Sequence, residues 1–174
     1  MRLLLPQRRR SHRGGGMKHV PKQQWMGCAV ATAAMLADRN YEEVAGHWPE
    51  LDDARMRSPR ELRALLEAVT SKGWYLSPCW HPQPRVREFV SPQWSVAVWI
   101  QDANFHPRFG QWIVIKDGII YDPGQSTEYL VCNYPRRDWV VTVVVQSVPP
   151  EDFVRIKGRI GSTPRANCSA EPQG

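Results

Sequence analysis

The chain has no apolar stretch long enough to cross a membrane. A membrane helix needs about 20 apolar residues and the apolar part of a secretion signal about 7–15, whereas the run Leu3–Leu5 has three. The four cysteines, at positions 28, 79, 132 and 168, are too few and too scattered for a disulfide scaffold. The sequence therefore predicts a cytoplasmic protein with reduced thiols and no membrane partner.

Motifs for nucleotides and metals are also missing. There is no P-loop, no dinucleotide glycine motif and no CxxC pair. A zinc site formed by Cys79, His81 and Cys132 is an alternative that the spacing does not favour, since Cys-x-His is not a usual ligand pair. We therefore predict no cofactor and no metal.

Acidic residues are absent from the first sixteen positions, which hold five arginines. The chain carries a formal charge of +6, so residues 17–174 carry only +1. We interpret residues 1–16 as a basic flexible tail, through which alone nucleic-acid binding is expected. In the alternative interpretation the tail is an upstream extension and Met17 is the natural start.

The remaining composition fits one domain. The chain has 174 residues, 42% of them hydrophobic, which suffices for a core. Residues 158–174 lack apolar periodicity and are expected to form a disordered C-terminal tail, which leaves a folded domain over residues 17–157. Helical patterns precede β-branched runs, so we predict an α+β fold with N-terminal helices and then a small antiparallel sheet.

Three helices are predicted. Residues 28–38 are rich in alanine, and residues 41–47 form a short second helix. The third begins at Ser58, where Glu61 completes a capping box, and is expected to stop at Gly73. Its apolar stripe consists of Leu62, Leu65, Leu66 and Val69.

The predicted strands cover residues 94–100, 112–115, 119–121 and 139–148. Asp117 and Gly118 indicate a two-residue hairpin turn between the second and third of these. With such a turn Ile113 pairs with Asp122. Gln111 then becomes the diagonal neighbour of Asp122 on the same face, about 7–8 Å away.

Cys28 is the cysteine best placed for chemistry. It follows Gly27 and opens the alanine-rich helix. Unpaired N–H groups and the helix dipole at such a position lower the pKa of a thiol. The alternative is that a cysteine in the sequence Cys-Ala-Val-Ala is a small buried core residue.

Two segments carry a resemblance that bears on this choice. In residues 20–31 (VPKQQWMGCAVA) a glutamine precedes a cysteine that begins a helix of small residues. Residues 110–123 (GQWIVIKDGIIYDP) form a hairpin that ends in Tyr-Asp-Pro. Together they resemble papain-like cysteine peptidases, in particular the compact C39-like branch of bacteria, their secretion systems and phages. The resemblance covers about residues 19–123 and implies the papain-like fold and hydrolysis of a peptide or isopeptide bond.

The resemblance implies a role for each matching position. Cys28 is the nucleophile and Asp122 orients the base. Gln23, or else Gln24, donates to the oxyanion hole, although the family often places this glutamine six residues before the cysteine, where this chain has Lys22. The implied mechanism is covalent acyl transfer by a Cys28 thiolate.

The chain departs from the family at the base. Where the family has histidine this chain has Gln111, whose amide forms hydrogen bonds but does not shuttle a proton. His106 is the candidate substitute base, and its alternative is an exposed loop histidine. His19 lies near Gln23 in the sequence but on the wrong side of Cys28, His47 is expected at the surface, and His81 is expected in a loop.

Three functions therefore remain open. The chain is an active cysteine hydrolase with His106 or another group as base, or an inactive papain-like domain that binds a peptide or protein partner in its cleft, or a copy inactivated by exchange of His for Gln. Trp25, Trp80 and Trp112 are candidates to line the cleft, and equally candidates for the core.

Overall fold

A computed structural model describes residues 17–24, 27–48, 58–78, 83–90, 94–104 and 110–148. In these ranges three α-helices precede a six-stranded antiparallel sheet, which confirms the predicted α+β class. The papain-like arrangement within that class stays a prediction. The two predicted tails lie outside the described residues. No helix among the described residues is long and apolar enough to span a membrane.

Helix α1 (Cys28–Ala37) begins at the predicted cysteine. It ends at Asp38, which adopts the left-handed conformation with φ of 53°. Every residue in the range Ala29–Met35 is buried, because small side chains allow the helix to lie close to the sheet and to the other helices. The position of Cys28 is therefore fixed by the core that the helix enters.

The other two helices begin at capping boxes. Helix α2 (Tyr41–Ala45) is two residues shorter than predicted, and α3 (Pro59–Thr70) has the predicted buried stripe. The predicted stop at Gly73 is wrong, since α3 ends at Thr70 and Ser71 is its left-handed cap with φ of 54°. The helix ends early because Trp74 is buried and its indole N–H donates to the Thr70 hydroxyl at 2.9 Å.

The sheet has the strand order β1-β6-β2-β3-β4-β5. Four of its strands match predicted runs, while β1 and β5 were not predicted because such short strands carry little periodicity. The strands are β1 (Tyr75–Pro78), β2 (Val96–Gln101), β3 (Gln111–Lys116), β4 (Ile119–Tyr121), β5 (Glu128–Leu130) and β6 (Val140–Gln146).

The turn between β3 and β4 is the predicted two-residue hairpin. Asp117 and Gly118 have φ of 51° and 76°, the conformation that Asp-Gly turns adopt. Lys116 pairs with Ile119 across the turn, and the same register places Ile113 opposite Asp122, as predicted.

The core lies on both faces of the sheet. Trp112 and Val114 face the helices, whereas Ile113 and Ile115 belong to a second apolar cluster on the opposite face. Because side chains alternate along a strand, Gln111 lies on the same face as Ile113. Trp112 is fully buried, so it is a core residue rather than a cleft lining.

Gly110 sets the position at which β3 begins. A Cβ there would lie 2.5 Å from the Trp99 ring and 2.6 Å from the Ile100 carbonyl oxygen. We therefore expect Gly110→Ala to destabilise the domain by about 1–3 kcal/mol through overpacking, measured by urea unfolding. The matched control is Gly46→Ala, since a Cβ at Gly46 meets its nearest atom at 3.5 Å. Equal stability of the two variants would contradict this account of the start of β3.

Candidate active site

The turn before α1 places Cys28 at the start of the helix. The Gly27 N–H donates to the Gln24 carbonyl at 3.0 Å. A Cβ on Gly27 would overlap the hydroxyl of the buried Tyr41. Only glycine therefore fits before the cysteine, and this close packing explains the Gly-Cys pair.

The surroundings of the Cys28 sulfur act on its ionisation in opposite directions. Burial raises the pKa of the Cys28 thiol, and this is the largest effect. The main-chain N–H of Trp112, the charge of Lys22 and the N–H groups of Ala29 and Cys28 lower the pKa without overcoming burial. The sequence predicted a lowered pKa, and the direction is wrong because desolvation outweighs the helix terminus. Cys28 is therefore a neutral thiol near neutral pH.

Cys28 lies beside the strand that carries Gln111. The Trp112 N–H that acts on the sulfur belongs to the peptide bond linking Gln111 to Trp112. The Lys22 N–H donates to the Pro123 carbonyl at 2.9 Å, so the segment before α1 runs next to Asp122. The structure thus brings the predicted nucleophile close to the chain segments that carry the other two predicted positions.

Asp122 is fully buried and accepts four hydrogen bonds. One carboxylate oxygen accepts from the Gln111 amide and from the Gly124 N–H, and the other accepts from Tyr134 and Arg136. The Gln111 contact confirms that the two residues are same-face neighbours. The carboxylate oxygens of Asp122 lie 2.7 Å from the Gly124 nitrogen, 2.8 Å from the Tyr134 hydroxyl and 3.0 Å from Arg136 Nη1.

The Gln111 amide is held at both ends. Its Nε2 donates to Asp122, and its Oε1 accepts from Arg136 Nη1 at 2.9 Å. The side chain is only 8% exposed. This arrangement fixes which way the amide points, and neither end takes up a proton near neutral pH.

Tyr134 and Arg136 were not found by sequence analysis. Burial, and next the charge of Asp122, raise the pKa of the Tyr134 hydroxyl far above its ordinary value, so it stays a donor. Both residues follow β5, twelve and fourteen positions after Asp122. No local pattern marks that segment, and only the fold returns it to Asp122.

The predicted oxyanion donor has another partner. Gln23 is exposed and its amide donates to Glu42 on α2, a bond that lowers the pKa of the Glu42 carboxyl. The Gln23 amide is therefore engaged by a side chain of α2. Gln24 contributes its main-chain carbonyl to the turn, and its side chain is exposed.

The histidines are placed as follows. His47 is exposed, as predicted. His19 is not remote, because its Nε2 lies 3.0 Å from the Asp122 main-chain carbonyl oxygen. It bonds the backbone there and not the carboxylate. His106 and His81 lie outside the described residues, as do Trp25, Trp80 and Cys79.

Neither a metal-binding cluster nor a match to a known protein gives further information about this site. Within the described parts of the chain, no group of three or more His, Cys, Asp or Glu side chains is arranged to hold a metal ion. A scan against protein-family models and a search of the curated proteins both find no match.

The raised pKa of the Cys28 thiol predicts that this residue is alkylated slowly. We expect iodoacetamide to modify Cys28 more slowly near neutral pH in the folded chain than in the denatured chain, because less thiolate is present. Mass spectrometry of tryptic peptides separates Cys28 from Cys132, the other free cysteine among the described residues. Faster modification in the folded chain would contradict the neutral-thiol assignment.

The buried carboxylate predicts a large loss of stability for Asp122→Asn. Each carboxylate oxygen accepts two donors, so an Asn amide places its NH₂ group against two donors in either orientation. We expect the variant to lose about 3 kcal/mol in the free energy of unfolding. The matched control, Asp117→Asn, changes an exposed turn residue whose φ of 51° suits asparagine, and we expect it to unfold like the parent chain. A loss below about 1 kcal/mol for Asp122→Asn would contradict the account.

Proposed function

We propose that the chain is a papain-like domain of the C39-like kind that no longer hydrolyses peptides and instead binds an extended peptide or protein segment beside Cys28. The observation that carries the proposal is the Gln111 amide, fixed between Asp122 and Arg136. It occupies the position where the resemblance expects the general base.

Acyl transfer by a cysteine needs two things that Cys28 and Gln111 do not supply. The sulfur must be a thiolate to attack a carbonyl carbon, and burial raises the pKa of Cys28. A proton must then reach the leaving nitrogen, and an amide at position 111 cannot deliver one. Both requirements fail at the residues that the family would use.

Other features support retention of binding. Cys28 is half-buried and so keeps an accessible edge. The N–H groups near its sulfur and the charge of Lys22 favour an electron-rich atom there, and the carbonyl oxygen of a peptide is such an atom. We further propose that the domain works in the cytoplasm, where Cys28 and Cys132 stay unpaired, as they are in the structure.

A second candidate function is the active cysteine hydrolase. It is favoured by the same N–H groups and by Lys22, all of which lower the pKa of Cys28 against the effect of burial. A base outside Gln111, with His106 as the candidate, would then be needed. Turnover distinguishes this candidate from the first.

Binding and cleavage can be tested in one experiment. Peptides are selected on the immobilised chain from a random hexapeptide library, and each is titrated by calorimetry against the parent chain, Cys28→Ala and Cys28→Trp. We expect Cys28→Ala to bind like the parent and Cys28→Trp to bind at least about tenfold more weakly, because the indole fills the site. Cys132→Ala is the control and should bind normally.

The outcomes separate the two candidates. Mass spectrometry of the mixtures should show every peptide intact. Fragments that form with the parent chain and not with Cys28→Ala would support the active hydrolase and overturn the binding proposal. Binding that Cys28→Trp leaves unchanged, in a variant with parental circular dichroism, would place the ligand elsewhere and also overturn it.

A further inference from the structure

We propose that Arg136 is a positioning residue that holds position 111 in its inactive form, so that a histidine at this position activates Cys28 only when the charge of Arg136 is removed as well. This inference rests on the proposed function, because it assumes that position 111 is the place of the base.

One guanidinium nitrogen of Arg136 donates to both Gln111 and Asp122. Arg136 Nη1 donates to Gln111 Oε1 at 2.9 Å and to Asp122 Oδ2 at 3.0 Å. A guanidinium is permanently charged and has no acceptor. The fully buried carboxylate of Asp122 therefore already has a cation as its partner.

A glutamine suits this cation and an imidazole does not. The amide offers a carbonyl oxygen to Arg136 and an N–H to Asp122 at the same time. In a working site the acid stabilises an imidazolium. With Arg136 in contact with both residues, that imidazolium would stand against a permanent positive charge, which lowers the pKa of the imidazole.

The other charged groups near Gln111 and Asp122 do not cancel the effect of Arg136 on the pKa of an imidazole at position 111. Tyr134 donates to the same carboxylate oxygen as Arg136 and stays neutral. His19 contacts only the main-chain carbonyl of Asp122, and Lys22 adds positive charge near Cys28. Asp122 is thus the acid that balances Arg136 at this site.

The outer side of Arg136 suggests that its charge can be removed without collapse of the core. Its side chain is 31% exposed, and its guanidinium carbon lies 5.0 Å from the Trp139 ring centroid. It also lines a cavity of about 400 Å³. Asp138, on the same cavity, is already paired with Arg85 at 3.4 Å and Arg87 at 2.8 Å. A neutral side chain at position 136 therefore leaves those pairs intact.

The test compares Gln111→His and Arg136→Gln, singly and combined, with the parent chain. The readouts are the pKa of the introduced imidazole, by NMR titration of the two chains that carry Gln111→His, and the rate of Cys28 alkylation as a function of pH. We expect Gln111→His alone to have an imidazole pKa below the ordinary value of about 6.5 and parental alkylation. The double variant should have a higher imidazole pKa and alkylate at least about tenfold faster near neutral pH.

Two further variants keep the result interpretable. Arg136→Lys combined with Gln111→His keeps the charge, so it should behave like Gln111→His alone. Arg136→Asn is also neutral, keeps an N–H donor for the buried carboxylate, and replaces Arg136→Gln if the latter does not fold.

Each outcome decides between the two proposals. If Gln111→His alone alkylates as fast as the double variant, the role of Arg136 is overturned while the placement of the base at position 111 is upheld. If the double variant folds and its Cys28 still reacts like that of the parent chain, the placement itself is wrong. The proposed function then fails together with this inference.

Discussion

The buried carboxylate of Asp122 ties together segments that are distant in the sequence. A charge without solvent contact is costly unless donors surround it, and Asp122 has four of them, from the start of β3, from the turn at Gly124 and from the segment after β5. The chain must bring these segments to one point to keep the carboxylate satisfied. The segment before α1 reaches the same place through the main chain, where the Lys22 N–H donates to the Pro123 carbonyl.

The four hydrogen bonds to Asp122 also support the proposed function. A carboxylate that orients a catalytic imidazole needs that imidazole as its partner, whereas Asp122 is shared between a neutral amide and a guanidinium. Cys28, the predicted nucleophile, is affected independently, since its burial outweighs the favourable helix terminus. Two separate physical causes, one at the acid and one at the thiol, therefore support a site that holds a ligand and leaves its bonds intact.

The sequence was sufficient where short-range rules act. The Asp117-Gly118 turn fixed the register and with it the contact of Gln111 with Asp122, and the capping box at Ser58 started α3 as predicted. It failed where tertiary packing decides. The desolvation of Cys28 depends on what covers it, and Tyr134 and Arg136 reach Asp122 only because the chain returns after β5. Gly73 was a plausible stop, but the contact of Trp74 with Thr70 ended the helix earlier.

The proposed function depends on a neutral thiol at Cys28 and on an amide in place of the base at position 111, and the ionisation of Cys28 can be measured directly. The ultraviolet absorbance of thiolate is recorded against pH for the parent chain and for Cys28→Ser, and the difference between the two curves is the titration of Cys28. We expect a midpoint above that of an ordinary cysteine, because burial raises the pKa of Cys28. A midpoint below it would mean that the chain activates its sulfur, which would contradict the account.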